Sequence, residues 1–160
     1  SEGGCYAPTF PKARYWVSAG DWDACHKPDI QMTRFPNAPD RVWPLSDLGM
    51  CDIYEGKHSF TSEVTSIPTP GHTPGHMSIL ISSLGQRALI LGDVLHTPAQ
   101  VEETTWVSRA DMDPKQTRIT RSSVLKQIES EEILAIVGHF PAPGYGHLVR
   151  SDGRRYWKPI

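Results

Sequence analysis

Two stretches of unbroken apolar character, Ala88-Leu89-Ile90-Leu91 and Ile133-Leu134-Ala135-Ile136-Val137, each end on a glycine followed by one ligand-type side chain, as Gly92-Asp93 and Gly138-His139. Short continuous apolar runs read as strands buried on both faces. In open α/β sheets the ligand sites lie beyond the carboxyl ends of such strands, where glycine lets the backbone come close. Residues 63–67 alternate polar with apolar and predict a half-buried strand. Residues 77–82 and 87–91 flank Ser83-Leu84-Gly85-Gln86, the pattern of a hairpin turning at Gly85. Asp113-Pro114-Lys115-Gln116 predicts a helix start, with Asp as N-cap, Pro in the first position and Gln three residues after the cap. Ile119, Val124, Leu125 and Ile128 then form an apolar face through about Ser130.

The remainder is less periodic. Residues 1–13 read as a surface loop and residues 14–18 as a short strand. Residues 21–26 predict a short helix capped near Gly20 or Asp21 and broken by Pro28. Residues 30–44, punctuated by Pro36, Pro39 and Pro44, read as loop with room for a helical turn. Residues 145–149 and 154–157 predict a last hairpin around Ser151-Asp152-Gly153, its Arg150, Arg154, Arg155 and Lys158 forming a solvated face.

Between the half-buried strand and the hairpin lies Thr69-Pro70-Gly71-His72-Thr73-Pro74-Gly75-His76. Two prolines and two glycines exclude a helix interior or a central strand, so this is a rigid turn carrying two histidines. Stiff backbone suits a metal ligand, whose geometry must be held closely. A length of 160 residues fits one domain, and 14 prolines point to many fixed turns. A formal charge of −2 provides no basic field for nucleic acid, and no run of about eighteen apolar residues exists to span a membrane. Cys5, Cys25 and Cys51 are odd in number with no C-x-x-C pair; they read as free thiols, which favours a reducing, cytoplasmic compartment.

The turn 69–76, then Leu91-Gly92-Asp93, then Gly138-His139, in that order and at similar spacing, resemble the later ligand motifs of the metallo-β-lactamase-fold hydrolases. The resemblance is strongest to the branch of acyl-homoserine-lactone lactonases and methyl parathion hydrolase. There the Asp precedes a Val-Leu-His-like triplet, here Val94-Leu95-His96, and the last His precedes a Phe-Pro-x-Pro-Gly-x-Gly-His-like stretch, here residues 140–147. It covers the chain from Phe10 onward. The family's His-x-His-x-Asp-His signature does not occur in these residues. The expectation is therefore an α/β metallo-β-lactamase αββα sandwich in part, a truncated domain over residues 1–160 without the first strands and first metal loop.

The resemblance implies that His72 completes one metal's shell and His139 the other's, with Asp93 bridging both. It implies zinc, two ions in the intact protein, with iron or manganese accepted by the same donors. The activity implied is hydrolysis of a small-molecule lactone, ester or phosphotriester by a metal-bound hydroxide. His76 is expected to make a structural hydrogen bond. His96 stands where lactonase relatives place a substrate-contacting phenol, so Asp93 and His96 are the expected catalytic residues. Trp106, Phe140 and Tyr145 could line an apolar mouth or pack in the core. Two rival readings are a mononuclear iron dioxygenase on the same fold and a non-catalytic remnant. With two protein ligands for each ion, the chain alone is expected to bind zinc weakly and to be inactive.

Overall fold

The computed structural model describes residues 7–160, and the chain divides into two compact units, Ser1–Glu55 and Gly56–Ile160. In the first, strands β1 (Tyr15–Ser18) and β2 (Cys51–Tyr54) pair in parallel. Four short helices lie between them: α1 (Ala19–Cys25), α2 (Pro28–Arg34), α3 (Ala38–Arg41) and α4 (Trp43–Asp47). Helix α1 is capped by Ser18, whose side chain accepts from the Asp21 amide, earlier than the sequence suggests. Pro28 opens α2 rather than merely breaking α1, and the expected loop over residues 30–44 is largely helical. The cause is that Pro28, Pro39 and Pro44 all occupy first-turn positions, where the missing N–H has no intrahelical partner to lose. Residues 7–13 of the expected amino-terminal loop form no helix or strand; its first six residues lie outside the described ones.

The second unit is a seven-stranded sheet in sequence order: β3 (His58–Ser59), β4 (Val64–Pro68), β5 (Met77–Ser83), β6 (Gln86–Ile90), β7 (Leu134–Ile136), β8 (Tyr145–Ser151) and β9 (Arg154–Pro159). All neighbours are antiparallel except β6 and β7, whose parallel pairing requires a crossover. Helix α5 (Pro114–Ser130) lies within that crossover, with Asp113 accepting from the Gln116 amide at 2.9 Å as the cap. The β5–β6 and β8–β9 hairpins turn on Leu84-Gly85 and Asp152-Gly153, each pair at positive φ.

The core gathers Leu89, Leu91, Val94, Leu95, Val101, Val124, Leu125, Ile128, Ile133, Ala135, Val137 and Phe140. The buried stripe of α5 is Thr117, Thr120, Arg121, Val124, Leu125 and Ile128, while Ile119, expected inside, is 56% exposed. Polar residues take the first turns of that stripe because backbone carbonyls, not apolar side chains, face them there. The three arginines of the last hairpin are paired rather than merely solvated. Arg150 and Arg155 converge on Glu129 of α5, and Arg154 on Glu102.

Candidate metal centre

The parallel register of β6 and β7 explains why the same apolar-run, glycine, ligand device occurs twice. Ile90 pairs with Ile136, and the Leu91 amide donates to the Ile136 carbonyl, so Asp93 and His139 follow at equal distances past neighbouring strand ends. Their side chains meet: His139 Nε2 is 2.7 Å from Asp93 Oδ1. From the turn between β4 and β5, His72 brings Nε2 to 3.7 Å from Asp93 Oδ2, too long for a hydrogen bond. His96 Nε2 lies 3.5 Å from Asp93 Oδ1. One donor atom each from His72, Asp93 and His96 fall within 4.8 Å of one another. All four residues singled out in the sequence are thus brought together.

Local backbone explains the placement. Gly92 has φ +56°, and a Cβ there would lie 2.7 Å from His76 Nε2, so only glycine lets Asp93 turn out of the strand. Gly71 has φ +136°, and its Cβ would meet the Thr117 backbone at 2.5–2.6 Å, so the histidine turn sits flush on the first turn of α5. Further bonds tie it down: the Met112 and Asp113 amides donate to the His72 and Gly71 carbonyls, and Thr120 Oγ1 to the Pro70 carbonyl at 2.6 Å. Gly138 has ordinary φ and open space at its Cβ, so close approach does not account for it.

The histidines are sorted by what the second ring nitrogen does. His72 Nδ1 is 3.0 Å from Oδ1 of Asp111, a carboxylate with no exposed side-chain surface whose Oδ2 accepts from the Ser108 amide at 2.7 Å. Nδ1 therefore carries the proton, and the lone pair is on Nε2, facing Asp93. His76 is committed at both ends, as expected for a structural histidine. Its Nε2 accepts from the Asp93 amide at 2.9 Å and its Nδ1 contacts the Thr69 hydroxyl and carbonyl. His96 Nδ1 is buried with no hydrogen-bond partner among the described residues. An orphaned donor is rarer than an orphaned acceptor, so the proton belongs on Nε2, pointing at Asp93. Asp111 belongs to no motif and escapes sequence reasoning, because a buried acid partner for a histidine is a tertiary fact.

Burial pushes the Asp93 carboxyl up, but the His139 hydrogen bond and the charges of His72, His96 and His139 outweigh it and hold it below the ordinary carboxylate value. Burial, reinforced by the neighbouring histidines, lowers His96 despite Asp111 and Asp93. His96 stacks on His139 with ring centres 5.0 Å apart and lies 5.2 Å from the His72 ring. Trp106 is 55% and Tyr145 42% exposed, whereas Phe140 is buried edge-on against Trp157 and belongs to the core.

The family model of the metallo-beta-lactamase superfamily matches residues 52–154. The chain belongs to that superfamily, and its fold is the metallo-β-lactamase fold. Among solved structures, it is similar to the hydrolase AbOPH of the beta-lactamase superfamily, at 24% identity and TM-score 0.79 over 94% of this chain and 56% of that one. It is similar to AidC, a dizinc quorum-quenching lactonase in complex with a product, at 21% identity and TM-score 0.76 over the same shares. A probable metal-dependent hydrolase from Staphylococcus aureus matches at 19% identity and TM-score 0.59, over 71% of this chain and 42% of that one. The chain spans about half the length of the structures it matches. Comparison with curated proteins gives no match.

Proposed function

We propose that this chain supplies His72, Asp93 and His139 to the metal centre of a hydrolase acting on a lactone, ester or phosphotriester, and His96 to its substrate. The observation that carries the reading is the Asp93 carboxylate, met on Oδ1 by His139 at 2.7 Å and faced on Oδ2 by His72 at 3.7 Å. A carboxylate with an imidazole at each oxygen has the donor pattern for joining two cations. The nitrogen and oxygen donors suit zinc, two ions in the whole protein, and also iron or manganese. When bound, the metal supplies Lewis acidity, lowering the pKa of water and polarising the oxygen of the group attacked.

The chain's own residues do the rest. Asp111 fixes the His72 ring and tautomer so that its lone pair faces the centre. Asp93 presents both carboxylate oxygens, one toward His139 and one toward His72. With its proton on Nε2, His96 is a donor to the carbonyl or phosphoryl oxygen, where charge develops in the transition state.

Metal analysis and turnover of Asp93→Ala in the whole protein test the reading. The expected result is loss of bound zinc and a fall in hydrolysis of at least about a hundredfold; two retained metals with wild-type turnover would refute it. His96→Ala should lower kcat while leaving metal content in place. Loss of metal in step with kcat would make His96 a ligand instead. Oxygen uptake by the iron-loaded protein would favour the dioxygenase reading.

A further inference from the structure

Arg121 lies in the middle of α5 with no exposed surface, on the same stripe as Val124, Leu125 and Ile128. Packing alone would be served there by an apolar residue, and no carboxylate is within ion-pair distance among the described residues. Burial lowers the guanidinium's pKa, opposed by the charge of Asp111. What Arg121 does contact is backbone. Its Nε donates to the Val94 carbonyl at 2.9 Å, and its Nη1 donates to the carbonyls of Thr104, at 3.2 Å, and Trp106. Gln100, 3% exposed, accepts from the His96 amide at 2.7 Å through Oε1 and donates to the Trp106 carbonyl at 3.2 Å through Nε2.

The segment from Val94 to Trp106 has no strand ladder, only a 3-10 turn over Pro98–Val101. Its inward carbonyls therefore need side-chain donors. Arg121 reaches both ends of the loop, Val94 beside Asp93 on one side and Thr104 and Trp106 on the other. Gln100 joins the middle to the same Trp106 carbonyl while holding the amide of His96. A planar guanidinium with donors in a fixed fork can do this; an ammonium cannot.

We propose that Arg121 and Gln100 are positioning residues that clamp the 94–106 loop, and through it the Asp93 and His96 side chains, in the arrangement the metal centre requires. The inference rests on the proposed metal centre for its purpose. Its mechanical content stands without metal.

The test is residue-resolved hydrogen exchange on the metal-free whole protein, with zinc affinity measured in parallel, for wild type, Arg121→Lys, Gln100→Met and Gln100→Glu. Gln100→Met should speed exchange of the His96 amide by about tenfold or more while β5, β6 and the middle of α5 keep their protection. Gln100→Glu retains the acceptor and should keep the His96 amide slow. Arg121→Lys should loosen the whole 94–106 loop, and both disruptive variants should weaken zinc by about tenfold or more. Unchanged loop exchange in folded Gln100→Met, or protection lost evenly through residues 56–160, overturns the clamp. Should Arg121→Lys fail to fold, the two Gln100 variants decide. If the whole wild-type protein takes up no zinc while the exchange pattern holds, the metal-centre reading falls and the clamp stands.

Discussion

Two of the loops that bring histidines to Asp93, those of His72 and His96, are held by different means. The turn over residues 69–76 is stiff in itself: Pro70 and Pro74 restrict it, the Thr69 amide closes on the His76 carbonyl, and Gly71 lets it lie flush on α5. The loop over residues 94–106 has little stiffness of its own and is held by buried side chains, Arg121 and Gln100, contributed at long range or from within. Both loops lean on the same stripe of α5, the turn on Thr117 and Thr120 and the loop on Arg121. Restriction built into covalent structure survives the loss of any one hydrogen bond; restriction built from a buried network does not.

The strongest way to break the first arrangement is Gly71→Ala. A Cβ at φ +136° within 2.6 Å of Thr117 backbone must displace the turn or the helix. The expected cost is on the order of 3 kcal/mol, combining backbone strain with overpacking. Urea denaturation measures it, and a midpoint equal to wild type would show that the turn does not depend on α5. Asp111→Asn keeps the shape but removes the charge that holds His72. Zinc affinity should fall about 10–100-fold with little change in thermal midpoint, as for outer partners of metal-bound histidines; an unchanged affinity would detach Asp111 from the centre.

Thr120→Val sharpens the comparison, because it deletes the hydrogen bond to the Pro70 carbonyl, and the one Thr120 accepts from Gln116, beside a turn that is stiff anyway. About 1 kcal/mol of stability should be lost, with the exchange rates of residues 69–76 barely altered. The smallest effect is expected far from both loops, at Glu129. Its carboxyl is held below the ordinary value chiefly by the Arg155 hydrogen bond, opposed by burial and supported by Arg150. A depressed carboxyl contributes stability that is present above the unfolded-state pKa of about 4.3 and is lost as pH falls through the lower folded value. Arg155→Met should therefore lower stability at pH 7 more than at pH 3, by no more than about 1 kcal/mol for such a partly exposed pair. Equal losses at both pH values would remove Glu129 from the acid response.

The difference between the loops is also a difference in legibility. The first can be seen in the chain because its restriction is spelled in consecutive residues, two prolines and two glycines around His72 and His76. Nothing near residue 94 announces that Arg121 will hold it, and the apolar pattern puts Ile119 on the buried face where Arg121 belongs. Likewise the prolines between residues 28 and 44 are visible in the chain, but whether a proline starts a helix or stops one depends on how the residues after it pack.

The two hairpins, the start of α5 and the placing of the proposed ligands just past apolar strand runs were determined by the sequence itself. Each rests on local chemistry: apolar period, turn residues at positive φ, an N-cap and a first-turn proline. Only the tertiary structure decided which nitrogen of each histidine is available. That depends on partners far along the chain, Asp111 for His72, the Asp93 amide for His76 and no described partner for Nδ1 of His96. An imidazole is ligand, donor or structural link according to what its second nitrogen meets, and no pattern of neighbouring residues encodes that meeting.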